Sequence, residues 1–157
     1  MAMNFTLRKA IIGDSDFLLN LRNEEGVRKA SFNQEPIKLE SHSKWFQNKL
    51  KDENTQIFIV EVESRPMAMV RFDLIGDADA EVNIAVTGKF QGKGYGSEIL
   101  ISSAGIFFEA FPLMEKIHAF IKPDNQASIS SFSKAGFRSQ GEVVYEGHSC
   151  MLMILTR

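Results

Sequence analysis

Hydrophobic and polar positions alternate along this chain in two rhythms, one of two residues and one of three to four. Phe5 to Ile12 reads as a first strand, closed by Gly13, and Asp14-Ser15-Asp16 reads as a helix N-cap cluster. Phe17, Leu18 and Leu21 supply the apolar face of the short helix that follows, which Gly26 is expected to break. Val27 to Ser31 suggests one more helical turn, and Glu35-Pro36-Ile37 is extended because a residue before proline avoids the α region. A helix is predicted from Leu39 to Lys51, with His42, Trp45, Phe46 and Lys49 close to one face. Three strands then follow at Gln56 to Val62, Met67 to Leu74 and Glu81 to Val86, with turns at Glu63 to Pro66 and Gly76 to Asp79.

Gly92, Gly94 and Gly96 come at every second position, and from Tyr95 the pattern turns helical. Leu100, Ala104, Phe107 and Phe111 form its stripe, and Pro112 closes it. A strand at Lys116 to Ile121, a helix at about Ala127 to Ala135 and a final hairpin complete the order β-α-α-β-β-β-α-β-α-β-β. The hairpin includes Val143 to Tyr145, a turn near Gly147, and Met151 to Leu155. This order is α/β with a mixed sheet, neither doubly wound nor a barrel.

A length of 157 residues implies a single domain, 1–157, with a core rich in its thirteen phenylalanines. The net charge of -2 disfavours nucleic acid as a partner. One cysteine, Cys150, excludes an internal disulfide or a cysteine-rich metal site, so no metal is expected. The N-terminus lacks a signal-peptide apolar core and no apolar run is long enough for a membrane span, so a cytoplasmic location is the expectation.

A glycine-rich loop feeding a helix N-terminus is a phosphate cradle, because free backbone N–H groups and the helix dipole face the anion. The nucleoside-triphosphate pattern fails, since Lys93 is not followed by Ser or Thr. The dinucleotide pattern fails at Ser97 and Ile99. The remaining pattern, Q/R-x-x-G-x-G/A after a hydrophobic strand, is met by Gln91, Gly94 and Gly96, and resembles the coenzyme A pyrophosphate loop of the GNAT superfamily of N-acetyltransferases. A later stretch, Asn125 through Ser128, Phe132, Lys134 and Gly136-Phe137, resembles a second motif of that superfamily.

The resemblance implies a GNAT fold: a mostly antiparallel central sheet, splayed into a V between two parallel central strands and flanked by about four helices. It implies acetyl-CoA as cosubstrate. Backbone groups of Ile84, Ala85 and Val86 would pair with the pantetheine arm as an added strand. Amides from Gly92, Lys93, Gly94, Tyr95, Gly96 and Ser97 would hold the pyrophosphate, Gln91 would belong to the same loop, Asn125 would bond the arm, and Phe132 would lie near the thioester.

Acetyl transfer needs a neutral amine, so a base is sought. Glu81 is the candidate, sharing a strand face with Asn83, while a solvated strand-end acid is its plainer role. The backbone N–H near Val86 is the oxyanion donor that the resemblance implies. Many members carry Tyr where this chain has Phe132, which cannot protonate the leaving thiolate. Of the two tyrosines, Tyr95 sits in the loop, and Tyr145 would have to reach the cleft from the final hairpin. His118 is either acid, base or packing.

Leu21-Arg22-Asn23, Val27-Arg28 and His42 through Trp45-Phe46 resemble the branch that acetylates UDP-4-amino-4,6-dideoxy sugars for surface polysaccharides of the pseudaminic-acid type. Arg22 and Arg28 would meet a diphosphate, Trp45 or Phe46 would stack on a ring, and Asn23, His42 and Asn83 complete the acceptor set. The arginines could equally cap helix carbonyls, and the aromatics could serve only to pack the helix. A ribosomal-protein-type N-terminal acetyltransferase and a non-catalytic acetyl-CoA-binding module stay open, as does a homodimer.

Overall fold

The computed structural model describes residues 3–157; Met1 and Ala2, part of the expected domain span, lie outside the described residues. Seven strands form one sheet: β1 (Thr6–Lys9), β2 (Thr55–Val62), β3 (Arg65–Leu74), β4 (Asp79–Val86), β5 (Lys116–Ile121), β6 (Arg138–Tyr145) and β7 (His148–Thr156). Five α-helices accompany them: α1 (Ser15–Asn23), α2 (Glu25–Ala30), α3 (Leu39–Lys51), α4 (Tyr95–Ala110) and α5 (Gln126–Lys134). The sheet order is β1-β2-β3-β4-β5-β7-β6, antiparallel except for the β4–β5 pair. That pair is joined at only three positions, Asp79 with Lys116, Ala80 with Ile117 and Glu81 with His118. Past these the strands part, which is the expected V.

Strand alternation divides the core between the two faces of the sheet. On β2, Phe58 and Val60 pack with Ile99, Leu100 and Phe107 of α4 and with Phe132 of α5. Ile57 and Ile59, one residue out of step, pack with Leu18 of α1 and Phe46 of α3. Phe72 and Phe107 stack with centroids 4.5 Å apart. Burying a phenylalanine of this kind stabilises the fold by about 1.5–3 kcal/mol.

Several boundaries differ from expectation. The first strand stops at Lys9, because the Asp14 carboxylate folds the chain back on itself. It accepts the Ile11 N–H at 2.8 Å and both Arg8 nitrogens at 2.7 and 2.9 Å, and so does not cap α1. Gly26 lies inside α2, and the break falls at Glu24, which is extended (ψ 139°). The Glu24 carboxylate accepts the Gly88 N–H at 2.9 Å, tying the α1–α2 corner to the loop after β4. The β2–β3 turn is Glu63-Ser64, both at positive φ, and Pro66, the second residue of β3, sits opposite Glu61 where the register shifts. The helix α2 raises the count from the expected four to five.

Candidate functional site

Where β4 and β5 part, a cavity of about 380 Å³ opens. Val82 to Val86 form one wall and Ala119 to Ile121 the other, with Asn125, Ser128 and Phe132 of the α5 segment beside them. Backbone groups of a splayed strand have no partner across the gap, so the cleft can accept an extended chain.

The loop after β4 continues this cleft. Gly92 (φ +72°) and Gly94 (φ +86°) are left-handed, and Gly94 is the N-cap of α4. The first N–H groups of α4 point out of the helix end without intrahelical partners. Gly96 has a different reason to be glycine: a Cβ there would lie 3.2 Å from Ser131 Oγ, so its absence lets α4 and α5 pack closely. The Gln91 side chain donates to the Val86 carbonyl at 2.8 Å and braces the loop against the strand. The Tyr95 ring packs edge-on against Phe5 and Phe90, which leaves its backbone for ligand contact. Ser97 Oγ donates to the Gly94 carbonyl at 3.3 Å, and Lys93 is exposed beside Phe90. Asn125 caps α5, its Oδ1 accepting the Ser128 N–H at 3.1 Å, while the residue also lines the cleft. Phe132 is buried edge-on against Phe137 and presents no hydroxyl to the cleft.

A second cavity, about 420 Å³, lies between α1, α3 and the face of β2 and β3 that carries Ile57, Met69 and Arg71. Leu18, Ile37, Ile57 and Trp45 make it largely apolar. Arg22, Met69 and Arg71 line both cavities and form their common wall. Arg71 Nε donates to Asp73 at 2.8 Å, and its guanidinium lies 5.2 Å from the Trp45 ring centre. Asp73 is already satisfied by Lys49 at 3.0 Å and Thr55 at 2.7 Å. Arg22 donates one Nη to the Asn33 carbonyl at 2.7 Å, and its other Nη is buried without a partner. Burial first, then the charges of Arg71 and Arg28, push the Arg22 pKa down. Among the described residues Arg22 has no carboxylate partner, whereas Arg71 is paired with Asp73.

Glu81 is half-buried at the base of the V and lines neither cavity itself. Its Oε2 accepts the Tyr145 hydroxyl at 2.8 Å. Burial raises its pKa; the Tyr145 hydrogen bond opposes this, and Asp73, Arg71 and Glu146 add smaller contributions of both signs. His118 Nε2 lies 3.1 Å from Asp79. Cys150 is buried, and burial raises its pKa, so it is no ready nucleophile.

Three of the expected acceptor residues, Phe46, Asn23 and Arg28, line neither cavity. Phe46 is fully buried between α3 and the sheet, with no surface left for a ring to stack on. Asn23 spends its amide on the Ile37 backbone, donating at 2.9 Å and accepting at 2.7 Å, and so staples the α2–α3 connection. Arg28 borders neither cavity; its Nε is buried without a partner, and its charge acts on Arg22. The His42 ring is held by the Ser15 carbonyl at 3.1 Å and is buried, and it lines the second cavity. Arg22 and Trp45 border the second cavity, and Asn83 borders the first. Arg71 escaped the sequence reading. Its signal was alternation with Asp73, but only the register, Arg71 opposite Asn83 and Asp73 opposite Glu81, puts it beside Glu81.

Among the described residues no His, Cys, Asp and Glu group could hold a metal ion, and no helix is long and apolar enough to cross a membrane. The sequence profile described as "Acetyltransferase (GNAT) domain" matches residues 4–138. No curated relative matches the chain in sequence. Similar solved structures include an aminoglycoside acetyltransferase, AAC(6')-Ib, in complex with coenzyme A, at 20% identity and TM-score 0.87, covering 98% of this chain and 95% of that one. The same enzyme with paromomycin and acetyl-CoA gives 20% identity and 0.88, over 99% of this chain and 94% of that one. A spermidine N-acetyltransferase from Vibrio cholerae, in complex with CoA and spermine, gives 22% and 0.86, over 97% and 95%.

Proposed function

The chain belongs to the GNAT acetyltransferase family, and on that premise we propose that it moves an acetyl group from acetyl-CoA to the amine of a nucleotide-activated amino sugar. Transfer is by direct attack in a ternary complex. The cosubstrate reading is supported by the fit of the cleft: an open strand edge at Ile84 to Val86, a left-handed glycine loop and a helix N-terminus in line with it. Acetyl-CoA supplies a thioester with an electrophilic carbonyl. The chain supplies the rest. The amides of the Gly92–Ser97 loop bind the pyrophosphate, and the backbone near Val86 donates to the oxygen that gains charge. Glu81, its basicity raised by burial, takes the ammonium proton directly or through one water.

The observation that carries the acceptor class is the common wall of the two cavities. It holds the Arg22 and Arg71 guanidiniums, Arg71 paired with Asp73; no carboxylate lines the second cavity, and Glu146 lines the first. Spermine, found in one neighbour's complex, is a polycation, and this wall would repel it. A diphosphate would meet two planar forks suited to its oxygens. With it on the wall, a planar base enters the apolar cavity beside Trp45, and the amino sugar turns toward the cleft.

Thiol release from acetyl-CoA is the assay, with UDP-linked 4-amino-4,6-dideoxy sugars compared with spermidine, an aminoglycoside and a peptide amine. Saturable turnover with the sugar nucleotide is expected. Turnover only with the cations or the peptide would overturn the acceptor assignment and leave the acetyltransferase in place.

A further inference from the structure

Tyr145 stands at the end of β6, the edge strand, with β7 and β5 between it and β4 in the sheet order. It nevertheless reaches Glu81 of β4. The pairing of β6 with β7 breaks register between Ser139 and Glu142, with Gly141 left-handed at φ +90°, and the Glu146-Gly147 turn is also left-handed. Such breaks bend and twist a hairpin. The Tyr145 ring then stacks on Phe120 of β5, with centroids 3.9 Å apart and planes 10° apart. Phe32, from the α2–α3 connection, lies tilted against the Tyr145 ring at 6.1 Å and stacks on His148 at 5.2 Å. Phe120 and Phe32 both line the cofactor cleft.

From this geometry we propose that Tyr145 is the positioning residue for the base, holding Glu81 Oε2 so that its other oxygen meets the proton of the attacking amine. The proposal rests on the reading of Glu81 as base. The ring stack fixes the direction of the hydroxyl, and the hydroxyl fixes the carboxylate. The phenol stays protonated, because burial and then the Glu81 hydrogen bond hold its pKa above the usual tyrosine value. In the step itself, the ammonium gives one proton to Glu81, the freed nitrogen lone pair forms the N–C bond, the C–S bond breaks to give the thiolate, and the nitrogen's second proton leaves to solvent as the amide forms. Glu81 returns its proton to solvent, and the Tyr145 proton does not move.

The groups facing Glu81 are Arg71 and Asp73 from β3, Tyr145 and Glu146 from the final hairpin, and His118, its neighbour across the parallel pair. Asp73 and Glu146 push its proton affinity up, and Tyr145 and Arg71 hold it down. Without the hydroxyl, Glu81 must bind its proton more tightly.

Tyr145→Phe keeps the ring stack and removes only the donor. The acid limb of kcat/KM should move up by about half to one pH unit, the worth of one hydrogen bond. Activity below the limb should fall roughly three- to ten-fold from the shift alone, and the plateau above it should also fall, because the ionised carboxylate is no longer held in place. The KM for acetyl-CoA should hold, and Glu81→Gln with Tyr145→Phe should be no worse than Glu81→Gln alone. If Tyr145→Phe folds poorly, fluorotyrosine replacing both tyrosines makes the phenol a stronger donor and should move the limb down. An unmoved limb in either experiment, with Glu81→Gln inactive, would show that Tyr145 only packs. An active Glu81→Gln with the wild-type pH profile would remove the base itself, and the proposal with it.

Discussion

Replacing Arg22 by Met tests the cation wall most directly. Arg22 reaches the Asn33 carbonyl with one Nη and leaves the other buried and unpartnered, in the field of Arg71 and Arg28. In the free protein its removal loses one hydrogen bond, about 1 kcal/mol, and gains relief from burial and like-charge repulsion of similar size. The net change in stability should stay within about 1 kcal/mol, or roughly 2–4 °C in Tm for a chain of this length. With an anionic acceptor bound the balance reverses. A hydrogen bond to a charged group is worth about 1.5–3 kcal/mol, which is roughly ten- to 150-fold in acceptor affinity. Initial rates of thiol release at saturating acetyl-CoA, with the sugar nucleotide varied, read this as a rise in acceptor KM. The wild-type KM should also rise with salt more steeply than that of the variant, because the lost contact is a charge pair. An acceptor KM within two-fold of wild type would refute the assignment of the wall to an anion.

Three further outcomes follow from other parts of the molecule. Glu81→Gln should cut kcat by roughly a hundred-fold or more, most severely at low pH where the amine is ammonium, as a full pH–rate profile would show. Gly94→Ala forces a side chain into φ +86°, with Met3 Cε 3.1 Å from the new Cβ. It should cost about 1–2 kcal/mol by denaturant unfolding and raise the KM for acetyl-CoA. The Asp14 pKa is lowered, chiefly by its hydrogen bonds from Arg8, so its folded value lies below its unfolded one. That stabilisation is present above the ordinary carboxylate value near 4 and fades as pH falls through the lower folded value. Asp14→Asn should cost roughly 2 kcal/mol near pH 7 and flatten the acid slope of stability, measured by urea unfolding across pH.

Periodicity and glycine placement along the chain determined most of the element order, the sheet class and the left-handed glycine loop that leads into α4. These are local properties: side-chain alternation on β2, the α4 stripe and the left-handed Gly92 and Gly94 each depend on a few neighbouring residues. Short-range competition was harder to read. Asp14 had two ways to spend a carboxylate and took Arg8 and Ile11 over the helix end. Gly26 could sit inside α2 because the break had already fallen at Glu24. The acceptor side depends on register and curvature, which no local pattern carries. Arg71 faces the second cavity because β3 pairs with β4 in one register, and a slip of one residue would turn it to the opposite face. Phe46 and Trp45, adjacent in sequence, part company because the helix buries one and leaves the other at the cavity. Tyr145 meets Glu81 only because a hairpin bends across two strands, bringing together residues 64 positions apart.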